Sequence, residues 1–272
     1  MKFTYYTIIG RDPTLLDGHL NNVTEYAGFN KLECDKRLLV IVYRNPTIPE
    51  ETTQEIFKIC DKYEAQYVVY NEPHSNFIQN LYACWNLGYQ MAHDGYIFRG
   101  GSDQVFSKDS FVHLHSLAEQ IRQDTPEEKF ILQANTIENE SRIKQIGATS
   151  RHFTVDFGTT FDSFDYDAFE RFIEEMNGGV ENKALTIEEC LRHWGKPTPL
   201  TTTLGHINRV DGCSWLMTKG DWEEYGPLPV MWRGVTGDVV IHDILQVNGY
   251  KEFMARDCIT YHFVRGESIE VQ

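Results

Sequence analysis

Apolar positions along the chain recur in two rhythms. Short runs rich in β-branched and aromatic residues (Phe3 to Ile9, Leu38 to Tyr43, Tyr67 to Tyr70 and Tyr96 to Phe98) are separated by stretches whose apolar residues fall at three- and four-residue steps. The first rhythm predicts strands and the second helices. Between Glu50 and Tyr63, the residues Ile56, Ile59, Cys60 and Tyr63 share one helical face, and Pro49 stands where a helix start tolerates proline. Phe77, Leu81, Trp85 and Gly88 mark the buried face of a further helix, which leads through Asp94-Gly95 into the strand Tyr96 to Phe98. A helix from Asp109 to Arg122 and a strand from Phe130 to Gln133 follow. Strands alternating with helices predict an α/β protein with a Rossmann-like mixed sheet flanked by helices.

Beyond this point the rhythm weakens. Residues 135 to 210 lack clear sheet alternation, although helices are expected at Asp165 to Met176 and at Ile187 to Trp194. A strand at Cys213 to Met217, a helix at Asp238 to Val247 and a last strand from Arg256 to Phe263 complete the pattern. No repeat, low-complexity tract or flexible linker interrupts it, so the 272 residues are expected to form a single domain.

Composition narrows the function classes. With 25 basic and 40 acidic residues the net charge is −15, which argues against sequence-blind attraction to phosphate backbones. The six cysteines (Cys34, Cys60, Cys84, Cys190, Cys213 and Cys258) are widely spaced, which disfavours zinc ribbons and small disulfide scaffolds. The N-terminal apolar run is too short for a signal-peptide core, and no run approaches the ~20 residues of a membrane span. A reducing, cytoplasmic setting is expected.

Three segments carry candidate chemistry. Gly100-Gly101-Ser102-Asp103-Gln104 directly follows the strand Tyr96 to Phe98, and in open α/β sheets ligands gather at the carboxyl ends of strands. The plainer reading is a turn that caps the next helix. Gly237-Asp238 opens a helix that runs to Asn248-Gly249-Tyr250; there Asp238 is either an N-cap or a rigidly held carboxylate able to accept a proton. His262 stands between Tyr261 and Phe263 at the end of the last strand, where a lone histidine is commonly a hydrogen-bonded structural residue.

In this order the segments resemble those of GT-A glycosyltransferases, in particular family 2-like members, over most of the chain. Asn86-Leu87-Gly88 precedes Ser102-Asp103 as the family's asparagine-x-glycine precedes its metal motif. Asp211 to Met217 and Tyr225-Gly226 match the opening of the family's acceptor half; Asp238, Gly249-Tyr250 and His262 then follow in the family's sequence. The aspartate-x-aspartate motif is reduced to Gly101-Ser102-Asp103, the acidic pair to Gly237-Asp238, and the acidic turn after the second strand is replaced by Tyr43-Arg44-Asn45.

The resemblance implies a nucleotide-sugar-binding half at 1–123 and an acceptor-binding and catalytic half at 124–272. It implies a hexosyl- or pentosyltransferase acting on a nucleotide-diphosphate sugar, with a UDP-sugar as the expected donor. Asp103 and His262 would be the metal ligands, and carboxylate, imidazole and phosphate donors suit manganese or magnesium. Asp238 would be the general base for inversion, with Asp243 as its substitute. Gly10, Arg11, Tyr43, Asn45, Asn86 and Ser102 would bind the nucleotide, and Arg265 would clamp its phosphates. The acceptor stays open between a saccharide or other hydroxyl compound and a hydroxymethylated base in phage-type DNA. The DNA alternative rests on two basic clusters, Arg142, Lys144, Arg151 and His152, and Lys183, Arg192, His193 and Lys196, with Trp194, Trp215 or Trp232 available to stack an extruded base. A non-catalytic sugar-nucleotide binder is the remaining alternative.

Overall fold

In β1 (Phe3–Ile9) every residue but one is fully buried, so a nearly continuous apolar run forms a strand covered on both faces. The structure, a computed structural model, describes residues 1–44, 47–71, 77–138, 155–177, 184–186, 189, 214–229, 231–232 and 235–263. β1 pairs in parallel with β2 (Lys36–Tyr43) on one side and β4 (Tyr96–Arg99) on the other, and β2 pairs in parallel with β3 (Gln66–Tyr70). The links between them are α1 (Pro13–Asn21), α2 (Glu50–Lys62) and α3 (Phe77–Met91). α1 starts where Asp12 accepts a hydrogen bond from the Leu15 amide at 2.9 Å and Pro13 fills the first helical position, where no amide donor is needed.

The sheet continues into the second half of the chain. β5 (Gln104–Phe106) and α4 (Ser110–Asp124) lead to β6 (Phe130–Glu138), α5 (Tyr166–Asn177), β7 (Ala184–Thr186) and β8 (Trp215–Thr218). After α6 (Lys219–Tyr225), a ribbon of β9 (Met231–Trp232) and β10 (Val235–Thr236) precedes α7 (Gly237–Val247) and β11 (Lys251–His262). The main sheet has nine strands in the order β3-β2-β1-β4-β8-β6-β11-β5, with β7 also on β11. β8 runs antiparallel between β4 and β6, so strands from both halves share one mixed sheet.

Alternate side chains of β1 enter different cores. Phe3, Tyr5 and Ile9 pack with Leu16 and Leu20 of α1, Ile56 of α2 and Phe111 and Leu114 of α4. Tyr6 faces the other side, with Tyr82 and Tyr89 of α3, Trp215 of β8 and Ile241 and Leu245 of α7. Helices therefore cover both faces, as the sequence pattern implies.

The differences from expectation have local causes. β6 reaches Glu138 instead of ending at Gln133, because Gln133, Asn135 and Thr136 are buried polar residues that hide the alternation. β11 begins at Lys251 instead of Arg256, and its register against β6 shifts between Ala255 and Ile259, as a bulge does. α1, β5 and the β9–β10 ribbon are additional elements. The expected helix at Ile187 to Trp194, both basic clusters and Trp194 lie outside the described residues or almost entirely so.

Candidate active site

The site begins where β4 ends. The Gly100 amide donates to the Tyr6 carbonyl at 3.1 Å, extending the pairing with β1 by one residue beyond β4, and the Gln104 amide donates to the Gly101 carbonyl at 3.2 Å to close a turn. A Cβ on Gly100 would collide with the Tyr5 hydroxyl, and one on Gly101 would lie 2.6 Å from Asp103 Oδ1. Glycine is required at Gly100, where two buried rings press in, whereas at Gly101 the nearest atom is the end of a side chain that can turn aside. Ser102 is buried within the turn.

β5 then runs antiparallel to β11, with Gln104 opposite His262, and the Phe263 amide donates to the Asp103 carbonyl at 3.0 Å. Residues 159 positions apart are thereby joined: His262 Nε2 donates to Asp103 Oδ2 at 3.0 Å. Their side chains are 8% and 13% exposed, sheltered yet open at one edge. The donor set fits a hard divalent cation, being one carboxylate and one imidazole brought within reach of each other. Among the described residues no group of three or more His, Cys, Asp or Glu side chains could hold a metal, so phosphate oxygens and water would complete the shell.

Behind the turn lies a buried hydrogen-bonded frame. His19 of α1 is fully buried, with Nδ1 3.0 Å from the Gln104 carbonyl and Nε2 2.7 Å from the Tyr5 hydroxyl. Burial pushes its pKa down from 6.5 to about 4, so the ring is neutral near pH 7. A carbonyl only accepts, which puts the proton on Nδ1 and makes Nε2 the acceptor of the Tyr5 hydroxyl. Burial, followed by smaller influences that include the Asp103 charge, raises the Tyr5 pKa and keeps that hydroxyl protonated. Gln104 Oε1 accepts from the Gly101 amide at 2.8 Å and from Ser214 Oγ at 2.6 Å.

On the opposite face Arg99, 1% exposed, is clamped between the indoles of Trp85 and Trp215, with its guanidinium carbon 3.7 Å from each ring centroid. Such stacking stabilises a desolvated guanidinium by about 2 kcal/mol or more.

The other expected site residues are distributed as follows. Gly10 is buried and Arg11 half-buried at the end of β1. Tyr43 ends β2, where its hydroxyl accepts from Asn80 Nδ2 at 3.0 Å and its ring lies 6.4 Å from that of Tyr70. The Asn86 side-chain amide accepts from the Leu228 amide at 2.7 Å and donates to the Leu228 carbonyl at 3.0 Å. Asp238 falls in the first turn of α7, directly after the β9–β10 ribbon, and Asp243 lies further along that helix. Asn45 and Arg265 lie outside the described residues.

His19 is not among the residues expected at the site, and Tyr5, Ser214 and Gln104 are expected only as strand, acceptor-half and turn residues. Asp12-Pro13 is the signal that would have revealed α1, placing His19 on the inner face with Leu16 and Leu20.

This sheet order, with the site at the end of β4, is a GT-A-type glycosyltransferase fold. The solved structure of TarS residues 1–349 from S. aureus superposes with a TM-score of 0.57 at 10% identity, over 97% of this chain and 60% of that one. The mannosyltransferase PcManGT from Pyrobaculum calidifontis, in complex with GDP-Man and Mn2+, gives 0.54 at 10% identity over 98% and 58%. GalNAc-T7 with UDP, GalNAc and Mn2+ gives 0.55 at 12% identity over 100% and 44%. The chain thus spans about 60% or less of the length of these neighbours. No family model and no curated protein sequence matches it. Among the described residues no helix is long and apolar enough to cross a membrane.

Proposed function

We propose that the protein is a metal-dependent glycosyltransferase that moves a sugar, with inversion, from a nucleotide-diphosphate sugar to an acceptor hydroxyl. A UDP-sugar is the proposed donor, since UDP accompanies GalNAc-T7 among the fold neighbours. The observation that carries the reading is the 3.0 Å meeting of Asp103 and His262 at the end of β4 in a GT-A fold. Manganese or magnesium held by these two side chains would supply charge stabilisation to the departing diphosphate.

The chain's own residues take the remaining tasks. Gly10, Arg11, Tyr43 and Asn45, at the ends of β1 and β2, line the nucleoside pocket, and Ser102 lies beside the phosphates. Arg265 clamps phosphate oxygens after donor binding. Asn86 acts by holding the loop at Leu228. Asp238, at the start of α7, accepts the proton of the acceptor hydroxyl. Residues 1–123 thus form the donor half, and 124–272 the acceptor half, of one domain.

The test is release of free nucleotide from a set of UDP- and GDP-sugars by the purified protein with manganese. Release of UDP from one donor, stopped by a chelator, is expected. If every donor stays intact and none raises the melting temperature with manganese present, the reading is wrong.

A further inference from the structure

Gln104 joins several parts of the site. Its Oε1 accepts from the Gly101 amide within the turn and from Ser214 Oγ just before β8. Its carbonyl accepts from His19 on α1, and its backbone lies opposite His262 in the β5–β11 pair. It is 1% exposed, so water cannot replace these bonds. The turn it ties down is the one whose next residue, Asp103, meets His262. Tyr5 and Phe106 press on Gly100 from below, so the turn has little room to settle elsewhere.

We propose that Gln104 is a positioning residue for the cation site: through the Gly101 amide and Ser214 its side chain fixes the Asp103 carboxylate against His262 before any ligand arrives. This rests on the metal-dependent reading above. Donors must sit within roughly 0.5 Å of the productive geometry to bind a metal and diphosphate well, and a carboxylate on a four-residue turn reaches that only if the turn itself is held. Outer partners that orient ligands typically account for about 10- to 100-fold in metal affinity.

Gln104→Met keeps the length of the side chain and removes the acceptor that serves Gly101 and Ser214. The measurement is manganese binding in the presence of UDP, read by the electron paramagnetic resonance of free and bound manganese, beside the melting temperature in a chelator. We expect manganese affinity to fall about 10- to 100-fold and the bound-ion spectrum to broaden, while the variant stays folded. Ser214→Ala, which leaves the bond to Gly101 in place, should lower the affinity by less than Gln104→Met; if Gln104→Met fails to fold, a Ser214→Ala protein with the affinity and spectrum of the unaltered protein would overturn the proposal. A folded Gln104→Met protein with unchanged affinity and spectrum would overturn the proposal, as would Ser214→Ala matching or exceeding its loss. Failure of the unaltered protein to bind manganese with UDP would instead refute the metal-dependent reading on which the proposal rests.

Discussion

The turn that carries Asp103 and the helix start that carries Asp238 are held in different ways. The turn lies inside the nine-stranded sheet, bonded to β1 through Gly100, to β11 through Phe263 and to α1 through His19 and Gln104. Asp238 stands at the start of α7, which enters from a ribbon of two-residue strands and is anchored to the core further along, at Ile241 and Leu245. Asp103 is framed by long-range pairing before any ligand binds, whereas Asp238 stands in the first turn of a helix. The difference fits a division of labour. Under the proposed function, donor and cation would meet the fixed geometry and the acceptor the lighter framework.

Two changes would break or sharpen this comparison, and the larger effect is expected at the helix. Asp238→Asn keeps the size of the side chain and gives up only a charge near the N-terminus of α7, so fold stability should change by no more than about 1 kcal/mol. Sugar transfer should fall by ~10² or more with donor affinity nearly unchanged, because the lost group acts mainly in the transition state. Transfer close to the normal rate, measured with donor binding on the same preparation, would leave Asp238 a residue of the helix's first turn and move attention to Asp243.

The smaller effect belongs to the frame and is read in stability. His19 is held neutral, with its pKa lowered from 6.5 to about 4, so the unfolded chain binds a proton there that the folded protein refuses. Stability from this group is therefore fully present above pH 6.5 and is lost as pH falls toward 4, by about 3 kcal/mol in all. His19→Asn, which can still donate to the Gln104 carbonyl but does not titrate, should flatten that part of the curve. Urea unfolding of both proteins between pH 4 and 7 gives the difference directly. Parallel curves would show that His19 is not buried as a neutral ring.

The same contrast explains what the sequence makes legible. β1, β2 and β4 stand out because parallel strands covered on both faces are short apolar runs bounded by helices, and the half-exposed edge strand β3 stands out by its β-branched and aromatic residues; the expected limits of all four agree with the structure to within two residues. In the second half, polar side chains inside the sheet disturb the rhythm. Gln133 donates to Glu252 at 2.9 Å and Thr136 pairs with Thr260 at 2.9 Å, all of them buried, so β6 and β11 each look shorter than they are. The candidates Asp103 and His262 are readable from their order along the chain. Their meeting depends on β5, a three-residue strand with no periodicity of its own. The frame behind them is invisible for the same reason, since Tyr5, His19, Gln104 and Ser214 come from four separate elements and only the tertiary structure joins them.

The most direct test of the central claim is manganese binding in the presence of UDP, titrated for the unaltered protein, Asp103→Ala and His262→Ala. The account predicts binding by the unaltered protein and loss of the ion in each variant, with melting temperatures in a chelator showing both variants folded. Manganese bound with equal affinity by His262→Ala or by Asp103→Ala would contradict it and reduce their 3.0 Å contact to a hydrogen bond between neighbouring strands.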